Sequence, residues 1–202
     1  HRAQGSMATI VLKRVANPLD FGVVVTDREG RIQRFLEKPS WSEVFSDTVT
    51  TGIYILEPEF GAIFTPGRNY DWSQNIFPQL LREGKPIFGY VMEGYWADVG
   101  SLSQYREAQE HLLGHDVDLS VRGEEIRAGV WVGEGCSIDP AAILEAPIAL
   151  GNHCKVKAGA HLGPNTVIGD HALIEEGAVV QHSVVWDSAY IGMNVRLDAA
   201  IV

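Results

Sequence analysis

Residues 132–180 read VGEGCS-IDPAAI-LEAPIA-LGNHCK-VKAGAH-LGPNTV-IGDHAL-IEEGAV-V, and this stretch decides the fold. An aliphatic residue stands at every sixth position: Val132, Ile138, Leu144, Leu150, Val156, Leu162, Ile168, Ile174 and Val180. Four places after each comes a second series of mostly small residues, Cys136, Ala142, Ile148, Cys154, Ala160, Thr166, Ala172, Ala178 and Val184. A period of six is neither the roughly 3.6 of a helix nor the alternation of a hairpin strand, so the repeat itself is the structural unit. Gly133, Gly151, Gly163, Gly169 and Gly192 directly follow ruler residues, with Asn152, Asn165 and Asn194 nearby, and are expected to supply sharp corners at positive φ. Beyond Val180 the register is expected to slip by one at Trp186 and to resume at Ile191 and Leu197.

This pattern resembles the hexapeptide repeat of the left-handed parallel β-helix, in which three hexads make one triangular coil; a meander of short strands is the plainer alternative. Cys136 and Cys154 are 154 − 136 = 18 positions apart, which is three hexads. The spacing stacks them on adjacent coils as small core residues, a metal pair or disulfide being the sharper reading. His153, His161, His171 and His182 fall at positions facing outward.

With 202 residues, 46% of them hydrophobic and 21% charged, the chain is expected to build two modest cores. A formal charge of −10 spread over both halves argues against a nucleic-acid partner, which calls for a basic face. No window reaches the roughly 18 apolar residues of a membrane span and no signal peptide is visible, so the expected location is cytoplasmic.

In chain order, residues 1–6 read as a leftover of cloning, residues 7–114 as one domain, 115–128 as a polar linker and 129–202 as the repeat domain. Strands are expected at Ala8–Val15, Phe21–Asp27, Arg31–Leu36, Val49–Leu56, Pro86–Met92 and Tyr95–Val99. Arg28-Glu29-Gly30 closes a hairpin. Glu59–Phe64 and Asn75–Glu83 read as short helices. Ser101 and Gln104 open a longer helix by a capping box, with Leu102, Tyr105, Ala108 and Leu112 on its apolar face.

Four short motifs then carry a resemblance. Phe21-Gly22-Val23-Val24, Phe35-Leu36-Glu37-Lys38-Pro39, Thr51-Gly52-Ile53-Tyr54 and Gly94-Tyr95-Trp96-Ala97-Asp98-Val99-Gly100 are similar, in this order, to the sugar-binding half of the nucleotidyl-diphospho-sugar pyrophosphorylases. With the hexads behind them they look most like mannose-1-phosphate guanylyltransferases. The implied fold class is α/β plus all-β: part of a Rossmann-like nucleotide-diphospho-sugar transferase domain followed by the left-handed β-helix. The implied reaction joins a sugar 1-phosphate to the α-phosphorus of a nucleoside triphosphate and releases pyrophosphate, with GTP and mannose 1-phosphate as the implied pair. Glucose 1-phosphate with a uridine or thymidine nucleotide stays open.

By the resemblance, Glu37 takes the sugar hydroxyls and Lys38 the sugar phosphate. Gly22, Thr50, Thr51 and Gly52 bring backbone or hydroxyl groups close to the ring. Asp98, at the end of its expected strand, is one of two carboxylates for Mg²⁺, which offsets charge on the triphosphate. Lys38 and Asp98 are thus the implied catalytic residues. Plainer readings are an exposed charge pair before Pro39 and a turn aspartate before Gly100. The family's glycine-rich triphosphate loop, a Gly-Gly run leading to Thr-Arg-Leu, is not in the sequence. The chain is therefore expected to be the back half of such an enzyme, to meet the triphosphate through residues it does not contain, and not to turn over alone. A noncatalytic regulatory or assembly subunit and a hexapeptide acyltransferase are the rival classes. The open coils are expected to assemble the chain into a homo-oligomer.

Overall fold

The computed structural model describes residues 1–44 and 46–202 and divides into two compact units, His1–Trp96 and Ala97–Val202. The first is a five-stranded sheet of β1 (Ala8–Arg14), β2 (Gly22–Thr26), β3 (Ile32–Glu37), β4 (Thr48–Leu56) and β5 (Ile87–Val91), in the order β3-β2-β4-β1-β5. Only β1 and β5 run parallel. Alternation sends Ala8, Ile10, Leu12, Val24 and Phe35 to one face, where they pack with Phe60, Phe77 and Leu80. The short helix α1 (Phe77–Arg82) follows directly on a π-helical turn, Trp72–Ile76, so helical structure begins three residues before the expected Asn75. Asp71 caps that turn by accepting from the Gln74 N–H at 2.7 Å, and Trp72 anchors it by stacking on Tyr54 at 5.1 Å and on Phe60 at 5.6 Å.

Residues 1–6 pack on this unit: the His1 imidazole bonds the Thr9 hydroxyl at 2.8 Å and the Glu57 carboxylate at 2.9 Å, and Ser6 is buried. One expectation for the unit fails. Tyr95–Val99 is not a strand, because the chain turns out of the sheet at Gly94, φ +82°, where the Lys13 ammonium bonds the Gly94 carbonyl. Trp96 instead packs edge-on against Phe21, with ring centroids 5.5 Å apart.

The second unit opens with α2 (Leu102–Leu113), capped by the Ser101 hydroxyl at the Gln104 N–H, 3.2 Å. Its inward face is rotated from the expected one: Leu102 is 67% exposed and Leu113 is 2% exposed. Arg106 donates to the Ala199 carbonyl at 2.5 Å, and Tyr105 meets Trp186 edge-on. The expected linker contains β6 (Glu124–Arg127), which pairs antiparallel with Val130–Val132 and covers the otherwise open edge of the first coil.

From Val130 the chain is a parallel β-solenoid of about four turns with three sheets. Val130–Val132, Ile148–Leu150, Thr166–Ile168 and Val184–Val185 stack in one of them. Both hexad series point inward, Leu150, Leu162, Ile174 and Val180 beside Cys154, Ala160 and Ala178. Coil length is 167 − 149 = 18 residues and then 184 − 167 = 17, so the slip precedes Val184 instead of falling at Trp186. The corner at His182 is one residue shorter than the one at Asn165; Ser183 and Val185 are the inward pair, and Val184 lies on the outward row.

The glycine expectation is also corrected. Asn165 and Asn194 take positive φ as expected, but the named glycines do not; the other positive-φ corners lie further along, at Gly135, His153, His171 and Ser188 in one series, at Gly159 and Gly177 in the series of Asn194, and at His182 and Ala199 in that of Asn165. Gly133 serves close approach instead: a Cβ there would lie 2.6 Å from the Gly151 carbonyl carbon. At Gly151 and Gly169 it would strike the carboxylates of Asp170 and Asp187. Three of the four outward histidines are thus corner residues, and His153 and His171 stack at 5.1 Å. His161 and His182 bond Glu145 at 2.9 Å and Asp198 at 3.0 Å.

Candidate functional site

Strand register alone brings three of the expected residues into one row. Gly22 on β2 is opposite Glu37 on β3, and the β2–β4 pairing of Val23 with Val49 sets Gly22 opposite Thr50. Residues level on adjacent strands share a face. A Cβ on Gly22 would lie 3.0 Å from Thr50 Cγ2, 3.1 Å from Glu37 Oε2 and 3.6 Å from Ser73 Oγ. Those three side chains therefore close around a bare Cα; Gly22 is itself buried, and they can converge there only because residue 22 has no side chain.

Ser73 escapes sequence reading because it sits on the π-helical turn, a rare element that tends to mark functional sites. The available signal was Asp71 followed by Gln74, a cap whose hydrogen bond fixes the turn beside β2.

At the end of β3, Lys38 has φ +43°, a left-handed conformation that lysine rarely adopts and that the following Pro39 further disfavours. Its N–H donates to the Phe21 carbonyl at 3.2 Å, which ties the strained residue to the start of β2. Both Glu37 and Lys38 are exposed, and neither has a side-chain hydrogen bond or ion pair among the described residues. A carboxylate and an ammonium thus stand unspent at neighbouring positions, and strain of this kind gathers at binding sites.

Thr51 and Gly52 serve the strand itself. Val11 has no ladder partner between the Ile10–Tyr54 and Leu12–Thr50 pairs, so β4 bulges, with Gly52 at φ +79°. The Thr51 hydroxyl donates to the Val11 carbonyl at 2.9 Å and is spent on the bulge, while the Gly52 N–H reaches Thr50 Oγ1 at 3.4 Å.

Asp98 belongs to the second unit and is exposed in an irregular segment, not at a strand end. No group of three or more His, Cys, Asp or Glu that could hold a metal occurs among the described residues. A single exposed carboxylate nonetheless fits Mg²⁺, which commonly takes one or two carboxylates and fills its shell with phosphate oxygens and water.

In the solenoid, Cys136 and Cys154 are both free thiols. Each contacts the Gly151 carbonyl, at 3.0 and 3.5 Å. Burial pushes the Cys154 thiol up to about 11, which suits an inert core residue. No helix among the described residues is long and apolar enough to cross a membrane.

A family model described as nucleotidyl transferase matches residues 1–114, and one described as bacterial transferase hexapeptide (six repeats) matches residues 147–182. The UTP–glucose-1-phosphate uridylyltransferase of Synechocystis sp. is 35% identical over 206 residues, taking in 100% of this chain and 53% of that protein. A glucose-1-phosphate adenylyltransferase of Desulfitobacterium hafniense is 34% identical over 158 residues, 67% of this chain and 38% of that one. A mannose-1-phosphate guanylyltransferase of Mycobacterium tuberculosis is 32% identical over 146 residues, 71% of this chain and 40% of that one. The chain spans about half the length, or less, of these curated relatives.

Proposed function

The chain belongs to the nucleotidyl transferase family, and we propose that it carries the sugar-1-phosphate side of a reaction joining a hexose 1-phosphate to a nucleoside triphosphate. The observation that carries this reading is the closure of Glu37, Thr50 and Ser73 around the bare Cα of Gly22. In the proposed complex the ring lies on the solvent side of the cluster that covers Gly22, Glu37 accepts from adjacent hydroxyls, and the partly exposed Thr50 and Ser73 hydroxyls satisfy others. Lys38 meets the phosphate as a point charge and holds its nucleophilic oxygen toward the incoming triphosphate. Such transfer needs little covalent help; its demand is to bring two polyanions together in line. Mg²⁺, when bound, offsets charge on the triphosphate, and Asp98 is the residue we propose to hold it.

Mannose 1-phosphate with GTP is the pair that the motifs favour. Glucose 1-phosphate with UTP is the second reading, supported by the Synechocystis relative that matches along the whole chain. We place triphosphate recognition in residues outside this chain, whose sequence holds no Gly-Gly run leading to Thr-Arg-Leu. The isolated chain is then inactive and an oligomer through its solenoid, where Trp186, Tyr190 and Met193 are exposed on the last coil.

The test is kinetic. In a full-length protein carrying this segment, Lys38→Ala raises KM for the sugar phosphate by at least about tenfold and leaves the triphosphate KM near its starting value. Equal losses for both substrates overturn the assignment. Pyrophosphate release by the isolated chain, or a monomeric mass by light scattering, overturns the respective subsidiary claims.

A further inference from the structure

The outward row of one solenoid sheet runs Trp131, Ala149, Val167, Val184 from coil to coil. Trp131 is buried beside Leu113, with its ring 5.4 Å from that of His115, so the first coil is filled. Ala149 and Val167 are too small to do the same on the next two coils. A cleft of about 280 Å³ remains between them, the C-terminal half of α2 and the segment Ser120–Arg122. Its floor is apolar, with Leu112, Leu113 and Val121 opposite Ala149 and Val167. Space of this size could hold about nine waters at roughly 30 Å³ each, yet such a floor offers them few partners.

One end of the cleft is charged. Asp170 and Asp187 line it, and each commits only Oδ1 firmly: Asp170 Oδ1 accepts from the Asn152 N–H at 2.7 Å, and Asp187 Oδ1 from the Asp170 N–H at 2.8 Å. Asp170 Oδ2 has only a long contact with the Asn152 amide, 3.5 Å, and Asp187 Oδ2 has no hydrogen bond among the described residues. Arg122 lines the same end, exposed and without an ion pair or hydrogen bond among the described residues. The end therefore presents two carboxylate oxygens and one guanidinium beside an apolar trough. A ligand matched to all three has an ammonium, a carboxylate and a compact apolar body.

We propose that this cleft binds a free α-amino acid with an apolar side chain, its ammonium on Asp170 and Asp187, its carboxylate on Arg122 and its side chain over Ala149 and Val167. The volume lies just below the roughly 300–1,000 Å³ of pockets for drug-sized molecules, which suits a ligand this small. Nothing in the site depends on the transferase reading; it is built within the second unit alone.

Thermal unfolding and calorimetric titration of the whole chain test it, with L-leucine and L-phenylalanine as probes. Their deaminated acids and decarboxylated amines separate the two head-group contacts. At tenfold excess over Kd the amino acids are expected to raise the midpoint by about 3 °C, while acid and amine each bind at least about tenfold more weakly. Asp187→Asn keeps an acceptor for the Asp170 N–H and is expected to weaken binding about tenfold. Val167→Phe fills the trough and is expected to abolish it. No response to either amino acid, an amine or acid as good as the amino acid, or unchanged binding in a folded Asp187→Asn variant overturns the proposal.

Discussion

Gly22→Ala separates fold from function more sharply than any other single change. The new methyl would stand 3.0 Å from Thr50 Cγ2 and 3.1 Å from Glu37 Oε2, against the roughly 3.5–4.0 Å of a relaxed contact. Residue 22 is in β2 and not in the left-handed region, so the substitution brings no backbone strain. Removing glycine from the unfolded chain stabilises by about 0.4–1 kcal/mol, and crowding costs about 1–3 kcal/mol, leaving a net loss of about 1 kcal/mol. The Glu37 carboxylate is exposed and unpaired, so it is the group that gives way. If Glu37 holds the sugar as proposed, a displaced carboxylate loses hydrogen bonds to sugar hydroxyls, each worth about 1.5–3 kcal/mol, and affinity for a hexose 1-phosphate is expected to fall by about 10- to 100-fold. Urea unfolding gives the first quantity and calorimetric titration of the folded chain with mannose 1-phosphate and glucose 1-phosphate the second. A folded variant that binds both within twofold of the parent refutes the reasoning.

Three further outcomes follow from the solenoid. Leu162, fully buried between coils, is expected to cost about 3 kcal/mol when cut to alanine, lowering the thermal midpoint by about 6–12 °C; a shift under about 2 °C would mean that the hexads do not form one core. Cys154, with its thiol raised to about 11, is expected to resist iodoacetamide at pH 8 in the native chain and to react in urea, so rapid native alkylation contradicts its place inside. The Asn152 N–H holds the Asp170 carboxyl below its usual value, with Arg122 adding to the effect. That stability is whole above the unfolded value of about 4 and is lost as pH falls through the lower folded one, so Asp170→Asn is expected to flatten the acid limb of an unfolding titration. An unchanged acid limb contradicts it.

What the sequence made legible follows from how local each cause is. The six-residue period exposes the solenoid because every coil repeats the same burial, and β1 to β5 are visible in their β-branched runs. Gly22, Glu37 and Thr50 could be gathered through the resemblance their motifs carry, and the strand register then sets them level with one another. Ser73 could not, because its approach depends on a π-helical turn held by the Trp72 aromatic cluster from distant parts of the chain. Gly133, Gly151 and Gly169 look like corner residues in one dimension, but their requirement comes from the next coil, 18 residues on. The slip before Val184 and the rotated face of α2 likewise depend on which surface the neighbouring coil presents.

The most direct measurement is a ¹⁵N amide spectrum of the whole chain titrated with a hexose 1-phosphate. Saturable shifts confined to Gly22, Lys38, Thr50, Gly52, Ser73 and their immediate neighbours are the expected result, with the solenoid amides unmoved. Saturable shifts elsewhere, or none at millimolar sugar phosphate in a folded sample, contradict a sugar-phosphate site at the ends of β2, β3 and β4.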